Sequence, residues 1–218
     1  MTRSSIILGA PIQSGTRQPG CVMGPASLRT AGLITSLEAL GWRIEDQGDL
    51  SIGPQAALAH ANPAVHHLAE TRAWIALLAA RAEAAAAQSD LPVFLGGDHA
   101  MSAGTMAGVA AHAARLGRPL FVLWLDAHPD LHSLDTTESG NLHGTPVAYA
   151  CGLGDFAAYP PLAHAIDPAR LCMMGIRSVD PAEHRRILEH GIEVHDMRAI
   201  DETGVVAPLR AFIERVRA

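Results

Sequence analysis

Cysteine is scarce in this sequence. Cys21, Cys151 and Cys172 stand far apart with no CxxC pair, so neither a disulfide framework nor a thiolate metal centre is indicated, and a reducing cytoplasm is the expected compartment. Runs of basic residues are missing as well. The 16 basic residues stand against 22 acidic ones for a formal net charge of -6, which leaves no patch to neutralise successive phosphates and removes nucleic acid from the expected partners. No long stretch is both apolar and uncharged. The most apolar one, Leu68 to Gln88, carries Glu70, Arg72, Arg81 and Glu83 and reads as an Ala-rich helix rather than a membrane span. At the N-terminus Ile6, Ile7 and Leu8 precede Gly9, too short an apolar core for a signal peptide, and no cleavage pattern follows. No repeat and no Pro/Ser-rich linker divides the chain, so a soluble intracellular protein with one domain over residues 1–218 is expected.

What is present is an alternation of two periodicities. With 218 residues, 49% of them hydrophobic, the chain can bury a sizeable core. Short β-rich runs at Ser5 to Leu8, Trp42 to Glu45 and Pro92 to Leu95 are each followed by a longer helical pattern: Gly24 to Leu40, Pro63 to Gln88 and Met101 to Leu116. The order continues with a strand over Leu120 to Leu125, a long Gly- and Thr-containing loop, a strand over Leu171 to Gly175 and a helix over Pro181 to His190. A weak strand at Glu193 to His195 and a closing helix around Val206 to Val216 complete it. This βαβα order predicts an α/β fold, a doubly wound parallel sheet in three layers, α/β/α. Ligands of such sheets collect beyond the carboxyl ends of the strands.

Polar residues concentrate at those ends. Val93-Phe94-Leu95 runs into Gly96-Gly97-Asp98-His99, where paired glycines allow a sharp turn behind His99. The next strand runs into Asp126-Ala127-His128-Pro129-Asp130, and strand alternation would aim Asp126, His128 and Asp130 to one side if the extended conformation persists. Two carboxylates and two imidazoles suit a hard or borderline divalent ion such as Mn²⁺, with Zn²⁺ still open. An N-cap and loop network is the competing structural role for the Asp-x-His-x-Asp run. Farther on, Ser139-Gly140-Asn141-Leu142-His143-Gly144 sets a hydroxyl, an amide and an imidazole in a glycine-flanked loop suited to a polar substrate, although the same residues also build turns for their own backbone.

Taken together, these three ordered motifs resemble the signatures of the arginase (ureohydrolase) family. The resemblance extends from the segment Gly20 to Leu33, through Gly175-Ile176-Arg177-Ser178-Val179-Asp180-Pro181, to the end of the chain. It implies a binuclear Mn²⁺ site in which His99 and Asp130 hold one ion, His128 the other, and Asp126 bridges them. It implies hydrolysis of a guanidinium group by a hydroxide bridging the ions. His143 matches the family's loop histidine, a proton shuttle, a role imidazole can fill; His143 and Asp130 are the expected catalytic residues. Thr137, Ser139 and Asn141 match positions that contact the substrate's α-carboxylate, and Asp180 one that recognises its α-amino group.

Two positions depart from that pattern. His132 stands where many arginases have an Asn that contacts the α-carboxylate, and Ser178 where a carboxylate is common. The resemblance further implies a later Asp-x-Asp strand end and a later substrate-binding acidic residue. Neither falls within residues 1–218, so missing C-terminal strands, four of the usual six protein ligands and little activity for this chain alone are expected. The expected reaction of the complete form is L-arginine to L-ornithine and urea. An agmatinase or other guanidino-acid hydrolase and a non-catalytic assembly or regulatory subunit are the competing functions. By resemblance the partners are a small guanidino substrate and further copies of the chain, as a homotrimer or hexamer.

Overall fold

A computed structural model describes residues 3–217. The first half is β1 (Ser4–Ala10), α1 (Gly24–Thr30), α2 (Leu33–Ala39), β2 (Arg43–Asp49), α3 (Leu68–Gln88), β3 (Leu91–Gly96) and α4 (Met101–Arg115). The second is β4 (Val122–Leu125), α5 (Pro146–Ala150), β5 (Leu171–Ile176), α6 (Pro181–His190), β6 (Glu193–Asp196), α7 (Met197–Thr203) and α8 (Val206–Arg217).

Several expected boundaries move, each for a local reason. The single helix expected over Gly24 to Leu40 is two, because Gly32 takes φ 87, a left-handed conformation that cannot continue a helix. The helix expected from Pro63 starts at Leu68, behind His67 at φ 51. β2 runs on to Asp49, held by parallel pairing to β1 despite its polar sequence; charged residues are what an edge strand carries. α5 was hidden in the long loop, opened by Pro146 in its first turn. α7 follows β6 directly, its N-terminus capped by the Asp196 side chain accepting from Ala199 N.

Every strand pair is parallel, as expected, and the strands form two three-stranded sheets, in the orders β2-β1-β3 and β4-β5-β6. β3 and β4 each keep one edge without a strand partner among the described residues. β5 explains the layering of the second sheet. Its near-continuous apolar run alternates: Leu171 and Met173 pack with Trp124, Val147 and Ala110, while Cys172 and Met174 pack with Phe212 on the opposite face. Helices α4 and α5 therefore lie on one side, α7 and α8 on the other. In the first sheet Ile6 and Leu8 pack on Ala85 of α3, and Ala10 on Trp74 and Leu78. No helix among the described residues is long and apolar enough to cross a membrane.

α4 is the element shared by the two halves. Its Ala103 packs with α3's Leu68 and Ile75, and its Ala110 with Trp124 of β4. Close approach to α3 depends on two glycines one turn apart: a Cβ on Gly104 would lie 2.7 Å from Ile75 O, and one on Gly108 2.2 Å from Ala79 O. Backbone cannot yield there as a side-chain tip could. We expect Gly108→Val to lower the unfolding free energy by about 2 kcal/mol or more, the overpacking cost of a well-packed site, read as a lower urea midpoint at unchanged slope.

Candidate functional site

Three strand ends converge on one open cavity of about 610 Å³. At the end of β3, Gly96 and Gly97 are not in left-handed conformations; they are there for close approach. A Cβ on Gly97 would lie 1.9 Å from Ile12 O and one on Gly96 2.1 Å from Met101 Sδ. The turn is pinned by Gly97 N to Ala10 O at 3.1 Å and Asp98 N to Ile12 O at 2.9 Å. The buried Asp98 carboxylate accepts from Gly15 N at 2.7 Å and Ala100 N at 2.9 Å. Burial raises the Asp98 pKa, with those two donors, His143 and His99 acting in the opposite direction. Gly15 O accepts from His143 N at 3.0 Å, so Asp98 tethers the loop histidine through one glycine.

His99 is oriented by stacking on Trp124, ring centroids 4.5 Å apart at 16°. Its Nδ1 faces Asp126 Oδ2 at 3.0 Å and Asp130 Oδ2 at 2.9 Å. The two carboxylates do not meet by strand alternation, because the extended conformation stops at Leu125. Asp126 Oδ1 accepts from His128 N at 2.9 Å, closing an Asx turn, and Asp130 adopts φ 50, which Asp tolerates better than most residues. Turn geometry thus brings Asp126 and Asp130 together and leaves His128 to one side. His128 is exposed, its Nδ1 3.6 Å from Asp126 Oδ1, and it lines the same cavity.

Donor atoms of His99, Asp126 and Asp130 all lie within 4.8 Å of one another. Asp130 Oδ2 is buried and, despite its short approach to His99, has no partner aligned for a hydrogen bond. An orphaned carboxylate oxygen aimed at a second carboxylate and an imidazole fits a divalent cation with oxygen and nitrogen ligands. Electrostatics agree. Burial works against a charged His99 ring, but Asp130 and Asp126 outweigh it and raise the pKa; burial also raises Asp130, with His99 opposing.

The substrate-binding residues expected from the sequence line the same cavity. Thr137 Oγ1 accepts from Gly140 N at 3.1 Å, and Ser139 Oγ from Asn141 N at 3.3 Å. Each hydroxyl hydrogen stays free to donate. Asn141 Oδ1 is buried without a partner, and Ser178 also faces the cavity. Asp180 caps α6 in a reciprocal capping box with Glu183, yet its side chain is 66% exposed. Buried His132 makes its hydrogen bonds to Asp180 Oδ2, at 2.9 Å from Nε2, and to Thr136 Oγ1, at 3.2 Å from Nδ1.

Sequence reasoning missed Glu183. Its buried carboxylate accepts from Asp180 N and from Leu131 N, both at 3.0 Å, and burial raises its pKa against those two donors. The signal was present as an Asp-x-x-Glu spacing opening a helix at Pro181, a capping-box pattern; its grip on Leu131 has no local signal.

Comparison with known proteins matches this chain to the Arginase family over residues 3–218. It is 57% identical over 96% of its length to an arginase of Agrobacterium fabrum, and spans 65% of that protein. Among solved structures, the arginase of Bacillus caldovelox superposes with TM-score 0.85 at 35% identity, covering 99% of this chain and 72% of that one. An Entamoeba histolytica arginase in complex with L-ornithine superposes with TM-score 0.84 at 26% identity, covering 98% and 71%. A ureohydrolase fold carrying an Asp/His cluster at its strand ends is the class that these features define. The chain belongs to the arginase family.

Glu183→Ala leaves Leu131 N buried without an acceptor, and we expect a loss of about 1–3 kcal/mol in unfolding free energy, the cost of an orphaned buried donor. Urea unfolding followed by circular dichroism checks it; an unchanged midpoint would mean that water replaces the carboxylate at no cost.

Proposed function

We propose that the protein, as one arginase-type α/β domain, is a manganese-dependent ureohydrolase that converts L-arginine to L-ornithine and urea. The observation that carries this reading is the convergence of His99, Asp126 and Asp130 on a cavity whose other wall bears Thr137, Ser139 and Asn141. His99 and Asp130 would hold one ion, His128 the other, and Asp126 both. Bound there, the ions would supply a polarised water close to neutral pH.

The chain's own groups do the rest. Thr137 and Ser139 already accept backbone N–H groups, so their hydroxyl hydrogens can donate to an α-carboxylate without competing for the cations. Asp180 presents an exposed carboxylate to an α-ammonium. These two ends fix the extended side chain so that its planar guanidinium lies toward Asp126 and Asp130. Water adds to the guanidinium carbon, the bond to the chain nitrogen breaks, and the leaving amine gains a proton. His143 lines the cavity, its backbone anchored through Gly15 and Asp98, and is the group for that proton.

A cytoplasmic location accords with three free cysteines, and assembly as a trimer or hexamer belongs to the same reading, to be tested by light scattering. With His99, Asp126 and Asp130 the donor groups in mutual reach at this site, the 218-residue chain alone is expected to hold ions weakly and turn over little arginine. Comparing it with a longer form for urea release and thermal unfolding tests that. Preference for agmatine or 4-guanidinobutyrate over arginine would favour the agmatinase-type reading.

Three outcomes follow for the full-length protein. Asp126→Ala should lose bound Mn²⁺ and activity together, and undiminished turnover in the metal-free variant would sink the two-ion reading. His143→Ala should lower kcat by about 10²- to 10⁴-fold with metal content retained. The pH dependence has a definite sign. Because the His99 pKa lies above the ordinary 6.5, protons compete with the ion from that raised value downward, so Mn²⁺ affinity should fall as pH falls through it. In chelated protein the His99 interaction works the other way: its stabilisation is complete below 6.5 and is lost as pH rises through the folded value. Titrations of Mn²⁺ and of urea stability across pH 5–9 read both.

A further inference from the structure

His132 departs from the family's pattern, and its surroundings assign it a different task from the residue it replaces. Both ring nitrogens are committed. Nε2 lies 2.9 Å from Asp180 Oδ2 and Nδ1 lies 3.2 Å from Thr136 Oγ1. A carboxylate can only accept, so Nε2 carries the hydrogen in that contact. The ring is buried, its side chain 11% exposed, whereas Asp180 is 66% exposed. Its backbone is equally fixed: His132 N donates to Gly144 O at 3.0 Å, and the preceding Leu131 N is gripped by Glu183.

We propose that His132 is a positioning residue for Asp180, and does not donate to the substrate's carboxylate. It holds one Asp180 oxygen from the protein side, while the capping box engages the carboxylate through the Glu183 N–H. One oxygen of the carboxylate is thereby held in place before an ammonium arrives, which lowers the ordering cost of binding. The ligand class is a chain carrying a primary amino group at the end remote from the guanidinium. This deepens the arginine reading and rests on it. The carboxylate of the substrate falls to Thr137, Ser139 and Asn141 alone.

The test uses three non-hydrolysable ligands in the full-length Mn²⁺ protein, by calorimetry. L-Ornithine carries both groups, 1,4-diaminobutane only the amino end, and 5-aminopentanoate only the carboxylate end. His132→Ala should weaken L-ornithine and 1,4-diaminobutane by about 10-fold, the effect of one hydrogen bond to a charged group, and leave 5-aminopentanoate unchanged. His132→Gln, whose amide N–H can reach the same carboxylate, should restore much of the loss and guards against a folding defect. On an Asp180→Asn background the His132 effect should vanish. Nitrogen NMR of the ring should report hydrogen on Nε2 in wild type. Weakening of 5-aminopentanoate and L-ornithine with 1,4-diaminobutane spared would overturn this proposal alone, as would an Nε2 without hydrogen. Failure of wild type to bind any of the three would overturn the arginine reading, and with it the recognition half of this one, while the NMR signal still decides the His132–Asp180 contact.

Discussion

Leu131 is the residue on which the site hangs. Its N–H donates to Glu183 and its carbonyl accepts from Arg186, both on α6. Immediately before it, Asp130 holds a left-handed conformation, and its carbonyl accepts from Val147 N at 3.1 Å and Ala148 N at 3.2 Å at the start of α5. Immediately after it, His132 binds Gly144 O with its N–H. Three consecutive residues therefore tie together the helix bearing Asp180, the loop bearing His143 and the segment bearing the acidic cluster. The Leu131 side chain is fully buried, so the anchor is apolar as well as hydrogen-bonded. The acidic cluster and the rest of the cavity wall are kept in register by bonds to the backbone of these three residues.

Burying the Glu183 carboxylate is unfavourable on its own, as its raised pKa records. Two backbone N–H donors offset that cost and in exchange become immobile. Asp98 repeats the device on the other side of the cavity with Gly15 and Ala100. In both cases a buried acid, held by two backbone donors, fixes a segment that borders the cavity.

Motifs at strand ends were legible because they are local. Gly-Gly-Asp-His and Asp-x-His-x-Asp identified His99, Asp126 and Asp130, and the βα alternation gave the layer order. The manner of their meeting was not legible. Alternation along a continuing strand would have turned His128 inward with the aspartates, and it is the Asx turn and the φ of Asp130 that separate them. The role of Glu183 depends on a pairing between residues far apart in the sequence, which periodicity cannot register. The contact of His132 with Asp180 joins residues 48 apart and has no local signal either.

The stacking of His99 on Trp124 joins residues that follow β3 in one sheet and lie on β4 in the other. During folding, each sheet can form from its own strands, but this pair can touch only when the two have docked across α4. His99 therefore joins Asp126 and Asp130 only in the docked molecule. An indole against an imidazole is also an optical contact, since a charged imidazole quenches indole emission. With Trp42 and Trp74 replaced by Phe, emission from Trp124 would report from within the site itself that the two sheets have met.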